Sequence, residues 1–161
     1  MNKKVVRAFP IMVVVLTLIC ASKVAESRVE NVALHKPATM SSQYAPGYEA
    51  SNCVDGTNQH LCHTTRELNP WWQVDLGSEY SIGYIVVRNR EDCCGERERT
   101  LTALISSDGR TWQPVHDNAG KDFQVLSIQV NGRKARYIRL QLRATDYLNL
   151  LGVSVFPYEP E

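Results

Sequence analysis

The sequence predicts an all-β fold: one domain, an antiparallel β-sandwich of jelly-roll type. Two observations carry that prediction. From Asn31 onward no stretch sustains the 3.6-residue apolar period of a helix; short β-rich runs separated by turn formers take its place. Two of those runs alternate apolar and polar residues strictly, as strands packed on one side and wet on the other must. Many short strands within so few residues favour a sandwich or jelly roll.

In chain order, strands are expected at residues 71–76, 80–88, 101–106, 125–130, 135–142 and 151–156. The run 125–130 turns Leu126, Ile128 and Val130 to one face. In the run 135–142, Ile138, Leu140 and Leu142 share a face, while Tyr137, Arg139, Gln141 and then Arg143 take the other. Asp55-Gly56, Ser107-Asp108-Gly109, Asn118-Ala119-Gly120 and Asn131-Gly132 read as turns. There is no internal repeat and no linker, so the domain is expected to run over residues 30–157.

Composition narrows the class. Among 161 residues, 22% are charged and 43% hydrophobic, with nine Gly and seven Pro. Collagen-like, low-complexity and disordered chains are excluded. Eighteen basic against seventeen acidic residues leave a net charge of +1, with no general pull toward nucleic acid or anionic membranes. At the N-terminus, residues 1–7 are basic, 8–20 almost wholly apolar, and Ala21-Ser22 small. That order predicts a secretory signal peptide of residues 1–21, with cleavage after Ser27 as the alternative, and hence an extracellular protein without membrane insertion. The apolar run is too short to span a bilayer comfortably. Cleavage removes Cys20 and three basic residues, leaving a slightly acidic chain with Cys53, Cys62, Cys93 and Cys94. Four cysteines in a secreted domain suggest two disulfides, with three possible connectivities. Neighbouring α-carbons lie about 3.8 Å apart, below the usual disulfide window of about 4.4–6.8 Å, so by default Cys93 and Cys94 would each seek a distant partner.

The polar residues of the middle are of particular kinds. His63 follows Cys62; after 26 intervening residues comes Arg90, then Asp92 and Arg97, in the run Arg90-Glu91-Asp92-Cys93-Cys94-Gly95-Glu96-Arg97. An Arg-x-Asp-x4-Arg run alone usually marks a surface ion-pair cluster. With the His at this spacing and the double cysteine, the chain resembles the F-type lectins (fucolectins) from about Asn31 to Phe156. The run Asn69-Pro70-Trp71-Trp72-Gln73-Val74-Asp75-Leu76 agrees. Residues from Leu104 onward, with Ser106-Ser107-Asp108-Gly109 and Ala135-Arg136-Tyr137-Ile138-Arg139-Leu140, look more like the wider discoidin or coagulation-factor C-type domains. Both resemblances imply a discoidin-like jelly roll.

The lectin resemblance implies a site for terminal L-fucose in which His63, Arg90 and Arg97 hydrogen-bond the sugar and Asp92 orients the arginines. The chemistry suits such a ligand. Arg offers several N–H donors in a rigid fork, a neutral His nitrogen adds one directional partner, and the axial hydroxyl of a fucose can sit where the three converge. The resemblance further implies a Cys93–Cys94 disulfide whose flat apolar face packs on the sugar ring, and a Cys53–Cys62 disulfide closing a short loop. Tyr44, Tyr48 and Leu61 lie in loops expected to rim the pocket and greet the C6 methyl, and His60 lies in the same rim. It also implies calcium: Asn52, Asp55 and Thr57 match the family's Asn-x-x-Asp-Gly-x segment, and Leu151 supplies a carbonyl, although Gly152 stands where a glutamate ligand is expected.

The expected function is therefore a secreted, non-catalytic lectin for fucosylated glycans or glycoproteins, acting in recognition or defence. A homo-oligomer would supply avidity. The rival, a discoidin-type adhesion module for phospholipid, sulfated glycan or a surface receptor, would have to rely on Arg136, Arg139 and Arg143. Two of these fall on the wet face of a strand. No Gly-rich phosphate loop, His-Glu-x-x-His or Gly-x-Ser-x-Gly motif occurs.

Overall fold

The computed structural model describes residues 30–160; the expected signal segment lies outside them. Among the described residues nine strands follow in order: β1 Ala38–Met40, β2 Cys62–His63, β3 Glu67–Leu68, β4 Trp71–Asn89, β5 Leu101–Ser106, β6 Gln113–Asp117, β7 Val125–Leu142, β8 Thr145–Asp146 and β9 Asn149–Pro157. Two 3-10 turns, Ala50–Val54 and Gly95–Thr100, interrupt them. One sheet has the order β2-β9-β4-β7-β5-β6, with β1 also paired to β4, and β3 with β8 forms a separate ribbon. The pairings are antiparallel.

Four of the six expected strands merge into two. The runs 71–76 and 80–88 are one strand, β4, and the runs 125–130 and 135–142 are one strand, β7. Their pairing jumps register between Asp75 and Tyr80 and again between Ile82 and Tyr84. Asn131-Gly132, read as a turn, sits at the second jump with φ values of 56° and 80°. Residues with turn chemistry here make a bulge that bends a continuing strand. Bending lets the long strands wrap one core, in which Trp72, Leu76, Ile82 and Ile85 of β4 meet Ile128, Ile138, Leu140 and Leu142 of β7. β6 was not expected; it is an edge strand carrying Pro114 with little buried apolar surface.

The three arginines at the end of β7 each have a partner within the domain. Arg136 donates twice to Asp75 at 2.7 and 2.8 Å. Arg139 donates to Gln73 Oε1 and lies between the Trp71 and Trp112 rings, 4.6 and 4.1 Å from their centroids. Arg143 pairs with Asp117. These three cations are engaged within the domain rather than presented as a row for sulfates. At the far end of β9, the Val32 N–H donates to the Val155 carbonyl and the Val155 N–H to Asn31 Oδ1, both at 2.9 Å.

Candidate functional site

His63 is positioned by backbone on every side. β2 pairs it with Asn149 of β9. Its carbonyl accepts the Tyr44 N–H at 2.8 Å, and its own N–H donates to the Tyr48 carbonyl at 3.4 Å. The Cys53–Cys62 disulfide, with α-carbons 5.5 Å apart, fastens the residue before it. The residue is 4% exposed, and Nδ1 lies 2.7 Å from the Thr64 carbonyl oxygen. A carbonyl only accepts, so Nδ1 carries the hydrogen and Nε2 keeps its lone pair. Burial holds the imidazole pKa below its ordinary value; the Thr64 hydrogen bond opposes this, and Arg90 and Arg97 add to it. His63 is thus a neutral acceptor.

The arginines come from the loop that follows β4. The Arg90 N–H donates to the side-chain oxygen of Asn89, which is fully buried. Arg90 Nε and Nη2 donate to the two Asp92 oxygens at 2.6 and 2.8 Å. The same hydrogen bonds hold the Asp92 carboxyl down at about 2. The next two residues, Cys93 and Cys94, are bonded to each other, with α-carbons 3.8 Å apart and Cys94 in the left-handed region at φ 64°. The 3-10 turn then delivers Arg97, whose Nε is 3.6 Å from Asp146 and whose guanidinium lies 4.8 Å from the Tyr147 ring centroid.

His63, Arg90, Arg97, Cys93 and Cys94 converge on one cleft of about 300 Å³, which Tyr44, Tyr48 and Tyr147 complete. The three tyrosine rings stand 4.7, 5.5 and 5.5 Å from the His63 ring. Asp92 acts on this cleft through Arg90. His60 and Leu61, expected at the rim, are not among its lining: the His60 ring is largely exposed and turned toward Asp55, 3.8 Å away, and the Leu61 carbonyl accepts from Asn52. Tyr147 was missed, since a single tyrosine 50 positions beyond Arg97 carries no spacing signal. Asn89 was missed too, although its run into Arg90 was visible. Its side chain donates to the Gly95 and Phe123 carbonyls at 2.9 and 3.0 Å and so fixes the loop.

Beneath the cleft, fully buried Glu98 accepts the Asn149 N–H at 3.0 Å, and burial pushes its carboxyl up to about 8. In the cation loop, Asp55 accepts from the Thr57 N–H and hydroxyl at 2.7 and 2.9 Å, and Asn52 donates to the Gly47 and Leu61 carbonyls. A side chain begun at Gly152 would meet Asn58 Oδ1, so an amide oxygen already fills the place of the missing glutamate. Among the described residues no three His, Cys, Asp or Glu gather as a metal cluster.

Two donor forks, one neutral acceptor, three aromatic rings and a flat sulfur face suit a small uncharged ring bearing hydroxyls on one side and apolar atoms on another. Comparison with known proteins agrees. Residues 52–140 match the F5/F8 type C family model described as a NedA-like, galactose-binding domain. Fucolectin-6 of Anguilla japonica is 33% identical over an alignment of 143 positions that covers 78% of this chain and 75% of that one. The lectin domain of lectinolysin, solved in complex with Lewis B antigen, superposes with a TM-score of 0.72 at 30% identity, covering 81% of this chain and 98% of that one. The f-lectin (fucolectin) from the serum of striped bass, Morone saxatilis, gives 0.69 at 31%, covering 81% and 49%.

Proposed function

Since the chain belongs to the fucolectin family, we propose that it is a lectin for terminal L-fucose on glycans, with the cleft around His63 as its site. The convergence of His63, Arg90 and Arg97 on one small cleft beside a vicinal disulfide carries this reading. His63 Nε2 accepts a hydrogen bond from one sugar hydroxyl. Arg90 and Arg97 donate to neighbouring oxygens, and Asp92 holds Arg90 in its geometry while offsetting one of the two positive charges. The disulfide and the tyrosines take the apolar side of the ring. Binding here involves no bond making or breaking, and hydrolysis of a fucoside by the purified protein would overturn that part.

The deciding experiment is a glycan array with the wild type and Arg90→Ala. We expect retention of fucosylated glycans alone, and a loss of about 10–100-fold in affinity in the variant, the range for hydrogen bonds from a charged donor. No preference for fucose, or full binding by Arg90→Ala, ends the assignment.

Secretion through the basic and apolar N-terminal segment is part of the same proposal; among the described residues no helix is long and apolar enough to cross a membrane. Calcium is proposed as a weak ligand of the loop after Cys53. Asn52, Asp55, Thr57 and the Leu151 carbonyl would hold it, with the Asn58 amide oxygen beside Gly152 as a further oxygen, and its chemistry there would be to cross-link loop oxygens. A rise in melting temperature at millimolar calcium, reversed by chelator, is expected; no shift removes the ion.

A further inference from the structure

A second, larger cavity of about 630 Å³ shares Arg90, Cys93 and Cys94 with the fucose cleft. The vicinal disulfide is therefore a partition with a hollow on each side. The second hollow lies between the loop that carries the disulfide and the segment 122–124. Its construction is fixed: buried Asn89 ties the Gly95 carbonyl to the Phe123 carbonyl, and the Asn89 backbone N–H donates to the Gln124 carbonyl at 2.8 Å. Along its wall, Arg99 donates through Nε and Nη2 to both oxygens of Asp122 at 2.6 and 2.7 Å. That pairing holds the guanidinium flat and leaves its Nη1 edge outside the pair. Phe123, half-buried, adds a ring, and Gln124 a side-chain amide.

We propose that this cavity is a subsite for the neutral sugar that carries the fucose, so that the protein reads a fucosylated oligosaccharide rather than fucose alone. The inference rests on the fucose reading of the neighbouring cleft. A terminal fucose on a natural glycan must leave its cleft across some rim, and the rim made by Arg90, Cys93 and Cys94 has a formed hollow directly behind it. The chemistry there suits a neutral sugar: an aromatic ring for its apolar face, an amide and a held guanidinium for its hydroxyls. Acidic Glu91, Glu96 and Asp122 against Arg90 and Arg99 disfavour an anionic sugar in the same place.

The test is titration calorimetry with methyl α-L-fucoside, a neutral fucosylated trisaccharide and its sialylated counterpart, on the wild type, Arg99→Ala and Phe123→Leu. The neutral trisaccharide is expected to bind about tenfold tighter than the fucoside, and the sialylated one no tighter than the fucoside. Each variant should lose most of that advantage while its fucoside affinity stays at the wild-type value, which also shows that the variant is folded. Equal affinity of the wild type for fucoside and trisaccharide, or an advantage that survives both variants, overturns the subsite and leaves the fucose cleft standing. Failure of the wild type to bind the fucoside at all overturns both.

Discussion

A single hydrogen bond, from His63 Nδ1 to the Thr64 carbonyl, decides which face of the imidazole meets a ligand. Because burial and the two arginines depress the imidazole pKa, Nε2 takes up its proton at a lower pH than an ordinary imidazole. Fucoside affinity should therefore be level from pH 7.5 to 6.5 and fall only on further acidification, when Nε2 becomes a donor and a third positive charge joins the site. Calorimetry across this range checks it; half-loss at or above pH 6.5 contradicts it. The linkage to stability has the same sign. Below the unfolded value the unfolded chain takes up a proton that the fold resists, so stability falls as pH drops toward the folded pKa. Glu98 works in the other direction. Its carboxyl is neutral in the fold up to about pH 8 but ionises near 4.3 when unfolded, so stability declines as pH rises between the two. Glu98→Gln keeps an acceptor for the Asn149 N–H and removes that slope. Its melting temperature at pH 7.5 should exceed the wild type's by about 5 °C, with no gain at pH 4.

At the scale of elements, the alternation of 125–130 and 135–142 was legible because one face of each run is buried; Ile128, Ile138, Leu140 and Leu142 are inside as read. Their continuity was not legible. Asn131-Gly132 has the same left-handed preference in a bulge as in a hairpin turn, and only the register with β4 tells them apart. The loop chemistry divides similarly. The His63 to Arg97 spacing was visible because it lies on consecutive chain, whereas Tyr147 arrives from another strand junction by topology alone. Asn89 links both levels. Asn89→Ala strips the donor from two carbonyls, so a loss of about 2 kcal/mol in urea unfolding is expected, together with weakened fucoside binding. In β4, a Cβ at Gly83 would sit 2.8 Å from the Pro157 carbonyl oxygen. Gly83→Ala should cost about 1–3 kcal/mol by forcing β9 away, while the β5 and β6 amides keep their hydrogen-exchange protection.

For the whole molecule, the Cys53–Cys62 bond closes a loop with a sequence separation of nine, and its removal by paired alanines should lower stability by about 2.5 kcal/mol on chain-entropy grounds. With one His63 cleft among the described residues, cell agglutination would require chains to be joined. The architecture says where such joining does no harm. β9 starts beside His63 at Asn149, and the lacing of Asn31 and Val32 onto it occurs at Val155, six residues along. At about 3.3 Å per strand residue the two places are some 20 Å apart. Both the entering and the departing backbone therefore stand at the end away from the cleft. A graft at Glu30 or after Pro157, whether a fluorophore, a bead or a second module, will hold the domain by its stem with its mouth facing outward.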